Sequence, residues 1–123
     1  MPSIDVHVTQ VQHNESVASS LAAIGHFDWA ITALFYAALN LMQAYLLEKG
    51  IVAETHAKRR EAINSQPELA SISRLYTMLQ TQSENARYNC ERFDEARYTA
   101  LRSGEYATLS TQPRELRSER NNG

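Results

Sequence analysis

Residues 27–47 carry a single charge, Asp28, over a run of 21 residues. As a helix, that length reaches about 30 Å, enough to cross a bilayer. Nothing else in the sequence narrows the possible folds as much, because a segment this apolar must end in lipid or in a protein core. Its polar residues decide between the two. Asp28, Thr32, Tyr36, Asn40 and Gln43 step by four, four, four and three, which on an α-helix makes one continuous stripe. Trp29, Ile31, Leu34, Phe35, Leu39, Leu41, Met42 and Leu46 surround that stripe. A helix apolar on nearly all sides with one polar seam is expected at the centre of a small soluble bundle. Its flanks also lack the Lys/Arg asymmetry that orients a membrane span. No membrane association is expected.

The rest of the chain is consistent with one helical domain over all 123 residues. Only 4 Gly and 3 Pro are present, too few for an all-β fold, which needs a turn about every 8–12 residues. A first helix is expected over 10–24, where Val11, Val17, Ala18, Leu21, Ala22 and Ile24 keep helical spacing before Gly25. Residues 1–9 read as a flexible lead-in. The second helix is expected over 27–49, with Gly50 just past its end. The third, over 55–65, has Thr55 as its cap. The fourth should start near Pro67, with Ser65 as a capping candidate, and reach residue 88. Its buried stripe is Leu69, Ile72, Leu75, Tyr76 and Leu79. Residues 91–103 carry no clear pattern. A last helix over 104–120, interrupted at Pro113, should give way to a frayed polar end at 118–123. The expected architecture is an all-α, up-and-down bundle of four or five helices.

Charge and cysteine content limit the function classes. The 12 basic and 14 acidic residues nearly cancel, which excludes a broadly cationic surface of the kind that holds duplex DNA through its phosphates. A local cationic pocket remains compatible with that balance. Cys90 is a lone cysteine and implies no disulfide. The opening residues lack both a basic start and an apolar run, so a cytoplasmic location is expected.

Three groups of residues could carry chemistry. In the first, Thr55-His56-Ala57-Lys58-Arg59-Arg60, the spacing places Arg59 and Arg60 beside His56 on one helical face. An imidazole can move protons near neutral pH, and guanidiniums hold phosphates bidentately. The alternative is a solvated basic face with a His near the helix start. In the second, continuing the stripe Ile72, Tyr76, Leu79 by helical steps reaches Ser83 and then Arg87, which should therefore point into the bundle. An inward Arg needs a partner, and Asp28 is the expected one. That pair either ties two helices together or leaves Arg87 to hold an anion at the mouth of the bundle. Tyr88 beside it could stack on a base or cover the bundle end. The third group is the seam itself, Asp28, Thr32, Tyr36, Asn40 and Gln43, readable as hydrogen-bonded within the core or against a second copy of the chain, with Asp28 and Tyr36 also candidates to bind a ligand.

Other chemistries lack the needed spacing. The glycines are isolated, so there is no phosphate-cradling loop. No Glu precedes a His by three, as a dinuclear carboxylate bundle requires. His7, His13, His26 and His56 are dispersed, so no metal site or cofactor is expected.

The run Phe27-Asp28-Trp29-Ala30-Ile31-Thr32-Ala33-Leu34-Phe35-Tyr36-Ala37-Ala38-Leu39, followed by Thr55-His56 with Arg59 and Arg60, then Tyr76, then Ser83 with Ala86-Arg87-Tyr88, resembles the compact bacterial members of the HEPN superfamily. The resemblance covers roughly half the chain, residues 27–88. It implies a helical bundle, often a homodimer, with a polar cleft between helices. Many such proteins are metal-independent endoribonucleases of toxin–antitoxin or defence systems. Others bind RNA or nucleotides without cleaving them, or partner a cognate antitoxin or a nucleotidyltransferase-like protein. The RNase members carry an Arg followed after four to six residues by a His. This chain has only the reverse order, His56 before Arg59 and Arg60. The catalytic assignment of the RNase members therefore does not carry across; what these residues allow instead is a composite site, brought together by packing or by a dimer, in which His56 serves as acid/base and Arg60 and Arg87 hold phosphate, with Arg59, Ser83, Tyr88, Asp28 and Tyr36 as ligand-binding candidates. The alternative is a non-catalytic helical module that pairs with itself or with another protein.

Overall fold

The computed structural model describes residues 2–111 and 113, and among them every regular element is helical. The order is α1 (Ile4–Ala23), α2 (Phe27–Glu48), α3 (His56–Asn64), a 3₁₀ turn (Pro67–Leu69) leading into α4 (Ala70–Tyr88), and α5 (Glu95–Leu101). A wide π turn (Arg102–Tyr106) extends α5, and residues 107–111 continue as helix.

The apolar run becomes the axis of an all-α bundle. Ile31, Leu34, Phe35, Met42 and Leu46 are completely buried, and so are Ala30, Ala37, Ala38 and Ala44, whose small side chains let neighbouring helices come close. The helix is long and apolar enough to span a membrane, yet 72% of its most apolar 18-residue window is buried inside the bundle. Trp29 is the exception in the first turn, 55% exposed.

Both ends of α2 meet a glycine turn. Gly25 has φ +85° and Gly50 has φ +74°, the left-handed region that favours a residue without Cβ. After each, the chain closes the preceding helix with paired bonds. His26 N–H donates to Leu21 O and Gly25 N–H to Ala22 O; Ile51 N–H donates to Leu46 O and Gly50 N–H to Leu47 O. These bonds occupy carbonyls that a helix end would otherwise leave bare.

Long-range hydrogen bonds record the packing. His7 meets Asn40, so α1 runs antiparallel to α2. Arg87 reaches Tyr36 and Tyr45 reaches Glu68, so α4 lies antiparallel on the other flank. Arg102 bonds Ser19 and Tyr106 bonds Glu15, which lays the π turn back along α1.

Several boundaries differ from expectation. The lead-in is helical from Ile4, because Ser3 caps it by accepting Val6 N–H and His7 is buried against Asn40. Ser65 does not cap the fourth helix; its hydroxyl donates back to Ala62 O, and Gln66 stands at the start of the 3₁₀ turn without a side-chain cap. The unassigned stretch holds α5, capped where Asp94 accepts Arg97 N–H. Gly104 accordingly sits inside a continuing helix instead of starting one. Pro113 is buried and helical. The helix beyond it and the polar end at 118–123 lie outside the described residues.

Candidate functional site

Thr55 starts α3 as expected, its Oγ1 accepting Lys58 N–H at 3.1 Å. The cap fixes the first turn, so His56, Arg59 and Arg60 project from it toward α2 and α4. Arg59 is only 5% exposed, which excludes the solvated-face reading for this residue. Its Nη1 contacts His56 Nδ1 at 3.2 Å and its Nη2 donates to Ala53 O at 3.5 Å. Arg60 turns to α4, where Nη1 donates to Gln80 Oε1 at 3.1 Å, and Gln80 Nε2 donates to Glu84 Oε1.

On α4 the extrapolated stripe holds. Ser83 is fully buried and Arg87 points inward, half-buried. Arg87 does not pair with Asp28. Its Nη1 donates to Tyr36 Oη at 2.9 Å and its Nε to Ser83 O at 3.3 Å. Asp28 lies two helical turns before Tyr36 and accepts the N–H of its own neighbour Trp29 instead. The guanidinium sits between two rings, 5.4 Å from the centre of Tyr36 and 5.0 Å from that of Tyr88.

The polar seam is thus divided by partner. Tyr36 serves α4, Asn40 serves α1, and Gln43 Nε2 donates to Ala53 O in the loop before α3. Thr32 donates to Asp28 O within its own helix.

Phe35 is the floor of the site. Its ring packs at 5.3 Å from Tyr36, 5.6 Å from Tyr76 and 6.0 Å from His56. His56 is exposed overall, but this packing removes water from part of the ring. That partial burial lowers its pKa below the ordinary value. The positive charges of Arg59, Arg87 and Arg60 push it in the same direction, and only Glu84 opposes them. All three arginines therefore act on one imidazole. None of the three has a carboxylate within ion-pair distance among the described residues. Burial pushes the Tyr76 hydroxyl above its usual range, opposed by the adjacent Arg59 charge. No hydrogen bond of good geometry joins the two, and Tyr76 Oη, Arg59 Nε and Ser83 Oγ are all buried without a partner. Buried donors left unpaired are costly, and here they lie on the two helices that present the arginines.

The arrangement also sets the His56 tautomer. A guanidinium only donates, so Nδ1 must accept from Arg59 and the neutral ring carries its proton on Nε2. His56 at neutral pH is a hydrogen-bond donor toward solvent, set among cations. Replacing Arg59 with Gln should move the His56 titration upward, toward the usual range, in an NMR pH series; Arg74→Gln, exposed elsewhere on α4, should leave it in place. The sign carries over to stability. Because the folded pKa is depressed, the folded state binds less proton than the unfolded chain, and His56 weakens the fold as pH falls below about 6.5 and through the folded pKa.

Sequence reading found His56, Arg59, Arg60, Arg87, Ser83, Tyr36 and Tyr88, and the structure gathers them on α2, α3 and α4. Asp28 stands apart from the cluster. Phe35, Gln80 and Glu84 were missed as site residues, although Gln80 and Glu84 are a helical step apart between Tyr76 and Arg87. Among the described residues, no three His, Cys, Asp or Glu side chains come together as a metal site would require. Comparisons with family models, curated proteins and solved structures find no match, so the HEPN resemblance rests on this chain's own residues.

Proposed function

We propose that this is a HEPN-like protein that binds RNA or a nucleotide through phosphate, at the cluster formed by His56, Arg59, Arg60 and Arg87. One observation supports the reading most directly: Arg59 contacts His56 Nδ1 at 3.2 Å, Arg60 follows it on α3 and Arg87 turns inward on α4, in a near-neutral chain with no carboxylate paired to any of the three among the described residues. A phosphate supplies the missing negative charge and accepts from several fixed donors at once. His56 Nε2–H adds a neutral donor at the rim.

Metal-independent cleavage of RNA is the catalytic extension of this reading. The substrate's 2′-hydroxyl is the nucleophile, so the protein supplies proton transfer and charge stabilisation. His56 is the group suited to the proton, once a bound phosphate draws Arg59 away from Nδ1. Arg60 and Arg87 offset the charge that builds on phosphorus. The expected setting is a cytoplasmic toxin–antitoxin or defence system.

The test is incubation of the protein with total RNA and with short defined RNAs, with and without EDTA. Cleavage should survive EDTA and fall by about a hundredfold or more in His56→Ala, the size typical of a lost acid/base group. Equal background cleavage by both proteins ends the nuclease extension. Failure of RNA and nucleotides to bind at physiological salt ends the binding reading as well.

A non-catalytic pairing module is the second reading. It draws on Ile24 and Trp29, 68% and 55% exposed on either side of the α1–α2 turn. Light scattering at micromolar concentration tests self-association, and a strict monomer counts against the homodimer.

A further inference from the structure

Resting on the phosphate-binding reading, we propose that Tyr88 is a stacking platform for a nucleobase, so that the ligand is an unpaired nucleotide unit and not a bare anion or a duplex backbone. Tyr88 is the last residue of α4 and is 72% exposed, the largest exposure among the exposed large hydrophobic residues. It therefore covers little of the bundle end, the alternative its position first suggested. The ring nonetheless has a favoured placement. The Arg87 guanidinium lies 5.0 Å from its centre, and that guanidinium is fixed in turn by Tyr36 Oη and Ser83 O. Cation–π contact at an exposed site is weak, and it favours this placement of the ring without burying it.

The juxtaposition fits a nucleotide. One ribose separates a base from its phosphate, and the Arg87 guanidinium and the Tyr88 ring are direct neighbours at 5.0 Å. A phosphate on Arg87 thus brings the attached base to Tyr88. Stacking on an aromatic face is available to every base and is lost when the base is paired inside a helix. The platform selects single strands over duplexes and tolerates base identity.

The experiment measures affinity by calorimetry for inorganic phosphate, AMP, a short single-stranded oligoadenylate and the same length of duplex RNA. Three proteins are compared: wild type, Tyr88→Ala and Tyr88→Phe. Wild type should bind AMP about tenfold tighter than phosphate, the size of one stacked base. Tyr88→Ala should abolish that advantage, so that AMP binds it no tighter than phosphate does, while Tyr88→Phe keeps the advantage. The oligoadenylate should follow the AMP pattern, and a larger loss there than with AMP marks a polymer as the ligand. Duplex RNA should show no dependence on Tyr88. If phosphate and AMP bind wild type equally, or Tyr88→Ala retains the AMP advantage, the platform is refuted and the phosphate site stands. If none of the ligands binds wild type, the phosphate reading fails and takes the platform with it. Because Tyr88 is exposed, both variants should keep the wild-type helical signal and melting temperature.

Discussion

Removing Arg60 and Arg87 together, as Gln, should weaken binding of short single-stranded RNA by about a hundredfold or more. Each makes charge-assisted contacts of the class that contributes about 1.5–3 kcal/mol, and neither has a carboxylate partner among the described residues to be left unpaired by the change. Both sit partly exposed, so water can take over the groups they now bond, Gln80 Oε1 and Tyr36 Oη. Fluorescence polarisation over a salt series gives a second reading of the same loss. Single strands show a slope of about −0.7 per neutralised phosphate; the double variant should flatten the log–log plot by about 1.4. Arg74→Gln, an exposed position on α4 away from the cluster, is the control and should change little. An unchanged slope in the double variant would place the phosphate elsewhere.

Phe35→Ala should cost about 3–5 kcal/mol, the range for deleting a fully buried aromatic side chain. Phe35 has no exposed surface and touches the rings of Tyr36, Tyr76 and His56. A domain with about 5–15 kcal/mol in total loses a large fraction of its stability to that one change, visible as an early midpoint in urea. Phe35→Leu keeps most of the volume and should cost much less. The ring has a second role at the site, since its contact helps to dry one side of His56. A folded Phe35→Leu variant should therefore titrate His56 higher than wild type does, and a titration that moves the other way would sink this account of the shift.

How legible these features were depends on where their causes lie. The central helix was plain because its apolar run and polar seam are local, and because the fold buries what the pattern says it should. The inward turn of Ser83 and Arg87 was equally local, four-residue steps along one helix. The start of α1 was not. Residues Ile4 to Thr9 mix β-branched and polar side chains that favour helix weakly. They are held by the Ser3 cap and by His7 meeting Asn40 from 33 residues away. The α5 cap was written locally in Asp94-Glu95-Ala96-Arg97 and was overlooked beside the polar run around it. The π turn has no such signature, and Gly104 was misread as a start. The Asp28–Arg87 pairing failed for a geometric reason: charge suggested the partner, but helical register delivered Tyr36 two turns along. Burial of Arg59 was likewise invisible, because its bond to Ala53 O depends on how the loop before α3 folds back and its neighbour Tyr76 comes from α4.

One small bond has practical reach. Asn40 takes His7 with its oxygen and gives its amide to the carbonyl of Tyr36, the residue whose hydroxyl anchors Arg87. The first helix and the arginine cluster are therefore two ends of one relay through a single side chain. Anyone trimming the first ten residues to tidy an expression clone would remove His7 and leave the Asn40 oxygen without that partner, one helical turn from the tyrosine that anchors Arg87.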